Sequence, residues 1–208
     1  MRKLTEQEEF WQGRFGDEYL LRNDGPELLA SNLALFASAL RHAARVHSVV
    51  EFGTNRGLNL RALHQLLPGA RLTGVEINAA AHAAVSTLGL AEVWQGSIFD
   101  YVPSEASDLA LAKGVLIHLD PNLLEVAYDR LYAASRRYIL IVEYYNPVPV
   151  EVAYRGHRDR LFKRDFAGEM LDRFDDLALV DYGFSYRRDP MFLGTDCTWF
   201  LLDKRSAR

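Results

Sequence analysis

The segment VVEFGTNRG, residues 49–57, decides the fold prediction. It has the pattern of a buried apolar strand that reaches Glu51, followed by two glycines four positions apart and then by a helix. Gly53 allows a tight turn and the close approach of a ligand, Asn55 tolerates a left-handed backbone, and Gly57 allows close packing where the helix begins. Glycines at strand-to-helix turns also occur for structural reasons alone, so the loop needs support from the rest of the chain.

The segments around this loop alternate between strand and helix patterns. Strands are predicted over residues 47–52, 70–76, 91–95, 108–113 and 137–143, and helices over 57–67, 79–88 and 121–135. Two further helices are predicted before the first strand, one over residues 6–22 and one that starts at Asp24-Gly25-Pro26. The last third predicts a helix over 165–174 and strands over 177–186 and 196–203, joined by a short turn region that contains Asp189-Pro190.

This order predicts an α/β fold, a doubly wound Rossmann-like sheet that is mostly parallel and ends in a C-terminal antiparallel hairpin strand. We expect one domain over residues 1–208. Within it, residues 1–45 would form an N-terminal helical cap or lid, 46–143 a cofactor-binding half, and 144–208 an acceptor loop and the C-terminal hairpin.

Composition narrows the class of protein. The chain has 208 residues, 49% hydrophobic and 25% charged, with a net charge of −4. That charge disfavours non-specific binding to nucleic acid. The N-terminus has no apolar run behind its positive charges, and no apolar segment is long enough to span a membrane. Cys197 is the single cysteine, so no internal disulfide forms, and we expect a cytoplasmic protein.

Glu76 ends the second predicted strand, in LTGVEIN, nineteen residues after Gly57. A carboxylate at this position can accept hydrogen bonds from both ribose hydroxyls of an adenosine. A dinucleotide-binding fingerprint requires G-x-G-x-x-G, whereas this loop has Gly53, Asn55 and Leu58 at those positions. A nicotinamide-dependent oxidoreductase is therefore disfavoured.

The pattern E-x-G-x-N-x-G instead resembles the first motif of class I methyltransferases, and Glu76 resembles their second acidic motif. Gly96-Ser97-Ile98-Phe99-Asp100 resembles the loop that flanks adenine, which implies that Ser97 lies near the adenine amino group and Ile98 packs on the ring. The cofactor implied is S-adenosyl-L-methionine. We expect its site to comprise Glu51, Gly53, Thr54, Asn55, Gly57, Glu76, Ile77, Ser97, Ile98, Lys113 and Tyr19.

Lys113-Gly114 ends the fourth predicted strand, at the rim where chemistry is expected. Catechol-type methyltransferases bind magnesium through a carboxylate on this rim, and no His, Cys and carboxylate cluster here has ligand spacing. We therefore expect metal-independent transfer. His118 is a candidate general base; the alternative is a histidine that only hydrogen-bonds a backbone group near the cofactor. Tyr144, which follows the fifth strand, is the second catalytic candidate.

The connection after the fifth strand spans about twenty residues, a length that is usually functional or disordered. Its aromatic residues argue against disorder, and five Lys or Arg residues lie between Arg155 and Arg164. Such a cluster predicts a small anionic acceptor; the alternative is a solvated basic face. The expected acceptor-binding residues are Tyr145, Asn146, Arg155, His157 and Arg158.

Near the N-terminus, Trp11, Phe15 and Tyr19 follow one another at intervals of four residues. These residues either pack in the core or form a lid over the cofactor. In the lid, Tyr19, Arg22 or Asn23 would reach the polar end of the cofactor and help to exclude water.

Nearly the whole chain, from about Glu9 to Lys204, resembles the pseudaminic acid biosynthesis-associated methylase family. The resemblance lies in FWQGRFGDEYLLRN, VVEFGTNRGLNLRAL, AKGVLIHLDP, VEYYNPVPVEVAYRGHRDRLFKRDFAGEML and VDYGFSYRRD. RGHRDRLFKRDFAGEML is the most specific of these segments. The resemblance implies S-adenosylmethionine as cofactor and a setting in nonulosonic acid sugar synthesis.

Two functions thus remain open for the chain. The first is methyl transfer to a small anionic acceptor, either a sugar acid or nucleotide-linked sugar of the nonulosonic type or another metabolite. The second is a module that binds S-adenosylmethionine without turnover. Neither hypothesis specifies the methylated atom or the oligomeric state.

Overall fold

The computed structural model describes residues 2–20, 22 and 25–204, and its largest feature is a seven-stranded sheet. The strands are β1 (Ser48–Phe52), β2 (Arg71–Glu76), β3 (Glu92–Gln95), β4 (Ser107–Lys113), β5 (Ser135–Glu143), β8 (Leu177–Ser185) and β9 (Cys197–Lys204). Their order is β3-β2-β1-β4-β5-β9-β8. The first five are parallel, and β9 is antiparallel to both β5 and β8. The predicted fold class is confirmed.

Seven α-helices accompany the sheet in the described part of the chain. They are α1 (Glu6–Gln12), α2 (Arg14–Leu20), α3 (Pro26–Ala39), α4 (Leu58–Leu66), α5 (Ala79–Ser86), α6 (Leu124–Ala134) and α7 (Phe166–Arg173). Short 3₁₀ turns cover Leu116–His118 and Pro121–Leu123. Among the described helices, none is long and apolar enough to cross a membrane.

The sheet is covered on both faces, as expected for strands with continuous apolar runs. One core joins residues of α3, α4 and α5 to β1 and β4, with Phe36 and Leu63 fully buried. The other core joins α6 and α7 to the opposite face, with Leu131 and Met170 fully buried. All five residues of β1 are buried, so this strand forms a rigid base for the loop that follows it.

The N-terminal segment differs from the single predicted helix over 6–22. It forms two helices, because the chain is extended at Gly13, where φ is −90° and ψ is −159°. A Cβ atom on Gly16 would lie 1.9 Å from the backbone oxygen of Trp11, so this glycine allows α2 to fold tightly against α1. Leu21 and Asn23 lie outside the described residues, as does Asp24 of the predicted start of α3; Pro26 is the first residue of that helix.

The connection after β5 also differs from a plain loop. It contains β6 (Val150–Glu151) and β7 (Phe162–Lys163), which pair antiparallel as a separate small sheet. Between them Arg155 and Asp159 adopt positive φ values of 50° and 54°, and Tyr154 forms a bridge with His157. The connection from residue 144 to residue 165 is therefore a loop ordered by backbone hydrogen bonds between β6 and β7 and between Tyr154 and His157.

β1 is the topological switch point of the sheet, because the strands that follow it in sequence are added first on one side of it and then on the other. β2 and β3 lie on one side of it and β4 and β5 on the other. In such sheets, ligands bind in the crevice outside the carboxyl ends of the strands at the switch point. The glycine loop, Glu76 and Lys113 all lie at this edge, where β1, β2 and β4 end.

Candidate active site

The loop after β1 has the backbone that its glycines and asparagine predict. Gly53, Asn55 and Gly57 have φ values of 74°, 48° and 75°. A Cβ atom on Gly53 would lie 2.8 Å from Cγ2 of Val115, and one on Gly57 would lie 2.6 Å from Cγ2 of Val85. The first glycine therefore lets the loop pass the rim beyond β4, and the second lets α4 start against α5.

Glu76 is buried and fixes this loop to the end of β2. Its Oε2 accepts a hydrogen bond from the backbone N–H of Asn55 at 2.6 Å, and its Oε1 accepts one from that of Asn78 at 2.8 Å. Burial raises the pKa of Glu76, and the backbone donors oppose this rise. The remaining lone pairs of a carboxylate held in this way can accept further hydrogen bonds from a ligand.

A cavity of about 350 Å³ lies at this edge of the sheet. Nine of the eleven predicted cofactor residues line it: Tyr19, Gly53, Thr54, Asn55, Glu76, Ile77, Ser97, Ile98 and Lys113. Glu51 and Gly57 are not among the lining residues. The two catalytic candidates, His118 and Tyr144, line the same cavity. Five consecutive loops of the fold thus converge on one pocket, although their residues are far apart in sequence.

Glu51 supports the cavity wall from inside the sheet. It is fully buried, and its Oε1 accepts a hydrogen bond from Nδ2 of Asn59 at 2.5 Å. Asn32 in turn donates to Oδ1 of Asn59 at 2.9 Å. Burial raises the pKa of Glu51 to about 8, while the bond from Asn59 and the charge of Lys113 lower it. Both asparagines line the cavity, and sequence analysis missed them because a lone helical Asn carries no motif.

The end of the cavity near β3 is closed by α1. Glu8 is buried, forms an ion pair with Arg2 at 2.5 Å, and caps α1 together with Thr5. Arg2 also donates to Oγ of Ser97 at 3.2 Å. Burial tends to raise the pKa of Glu8, but its hydrogen bonds with Arg2, Ser97 and Thr5, together with the charge of Arg2, lower it below its ordinary value. The sequence T-E-Q-E predicts the capping box but carries no signal for its docking at Ser97.

Aromatic rings of α1 and α2 form part of the cavity lining. Trp11 and Tyr19 both line it, and their ring centroids lie 5.2 Å apart in an edge-on contact. The Trp11 ring also lies 4.6 Å from that of His118. Arg22 is exposed and is not among the lining residues. Trp11 and Tyr19, two of the three aromatic residues expected either in the core or in a lid, therefore line the cavity, and Asn23 lies outside the described residues.

His118 is buried beside this aromatic group. Its Nδ1 lies 2.6 Å from the backbone oxygen of Arg160. Because a carbonyl oxygen only accepts, Nδ1 carries the proton and Nε2 is left as the acceptor of the ring. Burial lowers the pKa of His118 to about 4, so the ring is neutral near pH 7. The backbone bond anticipated as the alternative role is present, and it leaves Nε2 available.

The far end of the cavity combines residues from β4, β5 and the β8–β9 turn. Tyr144 is half-buried, and burial raises the pKa of its hydroxyl. Beside it lie Glu143 and, from the turn before β9, Leu193 and Thr195. Sequence analysis did not select these last three residues. A glutamate at a strand end was one visible signal, whereas the contact made by the turn depends on how β9 inserts between β5 and β8.

The predicted acceptor-binding residues Tyr145, Asn146, Arg155, His157 and Arg158 lie outside the cavity lining. Arg155, His157 and Arg158 are exposed. The guanidinium of Arg155 lies 6.0 Å from the ring of Tyr19 and 5.6 Å from that of Tyr154, and both rings line the cavity. Arg155 therefore stands at the mouth of the pocket, in contact with its aromatic wall.

The other four basic residues of this segment divide by partner. Arg164 forms an ion pair with Glu169 at 2.5 Å, and Arg160 forms one with Glu6 at 3.4 Å. Lys163 lies 5.3 Å over the ring of Tyr144, and Arg158 is exposed. Arg160 and Arg164 thus form ion pairs within the protein. Arg155, Arg158 and Lys163 have no such ion pair among the described residues and are the candidates for binding an anion.

Three residues that line the cavity carry buried polar atoms without a hydrogen-bond partner in the described part of the chain: Trp11 Nε1, Thr54 Oγ1 and Glu143 Oε2. Buried polar groups are almost always paired. Such a set fits a pocket whose polar ligand supplies the missing partners. Among the described residues, no group of three or more His, Cys, Asp or Glu is placed to hold a metal ion.

Solved structures with the same architecture give the fold its name. The N1-methyltransferase of 1,6-didemethyltoxoflavin from Burkholderia thailandensis, solved with its substrate and S-adenosylhomocysteine, superposes with a TM-score of 0.71. It is 17% identical, and the match covers 99% of this chain and 93% of that one. The chain has the class I methyltransferase fold.

Two further structures with the methyltransferase fold extend the comparison. Magnesium protoporphyrin IX methyltransferase from Synechocystis PCC 6803, with bound S-adenosylmethionine, has a TM-score of 0.70 at 13% identity, covering 99% of this chain and 100% of that one. The plantazolicin methyltransferase BpumL has a TM-score of 0.67 at 14% identity, covering 96% and 95%. No protein-family model and no curated protein sequence matches the chain.

Proposed function

We propose that this chain is an S-adenosyl-L-methionine-dependent methyltransferase that acts on a small anionic acceptor without a metal ion. The observation that carries the proposal is the cavity at the switch point of a methyltransferase fold, lined by Gly53, Asn55, Glu76 and Ser97. The cofactor would supply an electrophilic methyl group on a sulfonium, and the chain supplies binding and orientation.

The proposed roles of the cofactor residues follow from their places in the fold. Glu76 accepts the ribose hydroxyls, while Ser97 and Ile98 hold the adenine. The left-handed loop from Gly53 to Gly57, the Glu51–Asn59 pair behind it and Lys113 hold the methionine part. Thr54, Ile77 and Tyr19 complete the wall, with α1 and α2 excluding water.

We place the reacting end of the acceptor next to His118 and Tyr144. The free Nε2 of His118 is suited to receive a hydrogen bond from a hydroxyl or amine of the acceptor, and this bond would aim the nucleophile. Arg155 and Arg158 would attract an anionic group at the mouth, and Tyr145, Asn146 and His157 would line the approach.

For the acceptor itself we propose a sugar acid or nucleotide-linked sugar of the nonulosonic, pseudaminic acid type. The sequence resemblance over RGHRDRLFKRDFAGEML and the local positive charge support it. A methyl acceptor with an apolar body is the second candidate. It is favoured by Leu193, a residue that lines the cavity and is 52% exposed, and by the exposed Met191 near it in sequence.

Metabolite profiling distinguishes these two candidates. Deproteinised extracts of cells that lack this protein would be incubated with purified protein and S-adenosylmethionine labelled in the methyl group. Label in an acidic sugar is the expected result, and label in an apolar, uncharged compound would support the second candidate. If the protein binds the cofactor but transfers no label, it is a binding module, and the proposed enzyme is wrong.

A further inference from the structure

Glu143 ends β5 inside the cavity, and one of its oxygens is firmly held. Oε1 accepts hydrogen bonds from the backbone N–H groups of Val115 at 2.9 Å and Leu116 at 2.8 Å. These donors begin the 3₁₀ turn that carries His118. The carboxyl group is therefore fixed in place and joins the ends of two strands.

The second oxygen of Glu143, Oε2, is buried and has no hydrogen-bond partner among the described residues. Glu143 is only 3% exposed and lines the cavity. An unpaired buried acceptor is costly, and more so when it is charged. A donor group on a molecule in the cavity would remove this cost.

Four titratable groups act electrostatically on Glu143. They are Lys113 on β4, Tyr128 on α6, Tyr144 directly after β5, and Cys197 on β9. Lys113 supplies positive charge, which favours the ionised carboxylate. Lys113 is paired across the sheet with Val142, next to Glu143 in sequence. The carboxylate thus lies on the β4–β5 side of the switch point, away from Glu76 and next to Tyr144, which lines the same cavity.

We propose that Glu143 is the proton acceptor of the reaction, and that the acceptor presents an O–H or N–H group to its Oε2. This inference rests on the proposed methyl transfer. The nucleophilic O or N forms a bond to the methyl carbon while the carbon–sulfur bond breaks and leaves its electron pair on sulfur. The proton passes from the nucleophile to Oε2 of Glu143 and later to solvent.

The division of labour between Glu143 and His118 follows from their surroundings. The Nδ1–H of His118 donates a hydrogen bond to the backbone oxygen of Arg160, and the ring packs against Trp11, so it can orient a nucleophile but takes up a proton poorly. Burial raises the pKa of Glu143 to about 8 and lowers that of His118 to about 4. A proton acceptor works best when its pKa is near the working pH.

The Glu143→Gln variant tests this role, because an amide keeps the oxygen that accepts from Val115 and Leu116. We expect unchanged affinity for S-adenosylhomocysteine by calorimetry, and a loss of about 10²–10⁴-fold in methyl-label transfer to the metabolite extract. The transfer rate of the wild-type protein should rise with pH up to about 8. The Glu143→Gln variant should lack this rise, whereas Glu143→Asp should keep it. Glu92→Gln, at an exposed position on β3 outside the cavity, is the control.

A titration that needs no acceptor gives an independent readout. In protein labelled with ¹³C at glutamate carboxyls, the resonance lost in Glu143→Gln or Glu143→Asp should titrate above the range of a free carboxyl. Transfer by Glu143→Gln at the wild-type rate, or a carboxyl that stays protonated at pH 9 with S-adenosylmethionine bound, would overturn the inference while leaving the methyltransferase intact. Wild-type protein that binds the cofactor and transfers no label would overturn both.

Discussion

The backbone N–H of Asn55 donates to Oε2 of Glu76 at 2.6 Å, which ties the glycine loop of the first strand to the end of the second. Asn55 holds a φ of 48° to make this contact. The same carboxylate therefore orders the loop and faces the cavity, so a change at Glu76 should affect ligand binding and loop order together.

Replacing Glu76 with alanine should weaken S-adenosylmethionine binding by roughly 1.5–3 kcal/mol, about 10- to 150-fold. The reason is the loss of a charged acceptor for the ribose hydroxyls and of the bond from Asn55. Calorimetry on folded protein would measure the change, with Glu92→Gln as control. Unchanged affinity in a folded Glu76→Ala variant would remove the ribose assignment.

Gly53 and Gly69 separate backbone strain from loss of space. Both have positive φ, 74° and 86°. A Cβ atom added at Gly53 would contact Val115, whereas one added at Gly69 would have no other heavy atom within 4 Å among the described residues. Gly69→Ala should cost about 1 kcal/mol of unfolding free energy and leave cofactor binding unchanged. Gly53→Ala should cost more and weaken binding, as measured by urea unfolding and calorimetry. Equal effects on binding would show that the close approach at Gly53 is unimportant.

Arg155 should contribute modestly to acceptor binding. It is exposed at the mouth of the cavity, where an ion pair is worth about 1 kcal/mol or less. Arg155→Ala should therefore raise the KM for an anionic acceptor by about fivefold and leave cofactor affinity unchanged. Arg158→Ala is the matched comparison, since Arg158 is exposed on the same segment. A loss of cofactor binding in either variant would assign the segment to the cofactor site instead.

Glu51 should make stability depend on pH in the neutral range. Its folded pKa of about 8 lies above the ordinary value of 4.5, so the folded state holds a proton that the unfolded state releases. This contribution is fully present below about pH 4.5 and is lost as pH rises to about 8. Glu51→Gln removes the titration, so urea unfolding from pH 4.5 to 8.5 should show a smaller decline in the variant. An identical decline in both proteins would contradict the raised pKa.

Turnover should not require a divalent metal. Lys113 occupies the rim where a metal-binding carboxylate would be expected, and a lysine repels a cation. Methyl-label transfer should be the same before and after treatment with EDTA. A loss of transfer that magnesium restores would show that this expectation is wrong.

The sequence predicted the sheet well because its signals are local. Apolar runs mark the buried strands, and the positive φ values of Gly53, Asn55 and Gly57 follow from residue type alone. The part of the cavity lined by the glycine loop, Glu76 and Ser97 was predictable for the same reason, since these residues follow strand ends whose order the alternating pattern implies.

The rest of the site depends on long-range packing, which no local pattern encodes. The capping box predicts where α1 begins, yet the contact of Arg2 with Ser97 joins residues ninety-five positions apart. The basic segment after β5 appeared to be a single anion-binding cluster, but Arg160 and Arg164 are paired with glutamates of α1 and α7. Charge in a sequence does not show which partners the fold will provide.

The most direct test of the account is calorimetric titration of the wild-type protein with S-adenosylmethionine, S-adenosylhomocysteine and NADH. The proposed site requires binding of the first two, each at one site per chain, and no binding of NADH, because the loop lacks the dinucleotide glycines. Tight NADH binding, or failure to bind either adenosyl compound, would contradict the central claim that the cavity at the end of β1 is an S-adenosylmethionine site.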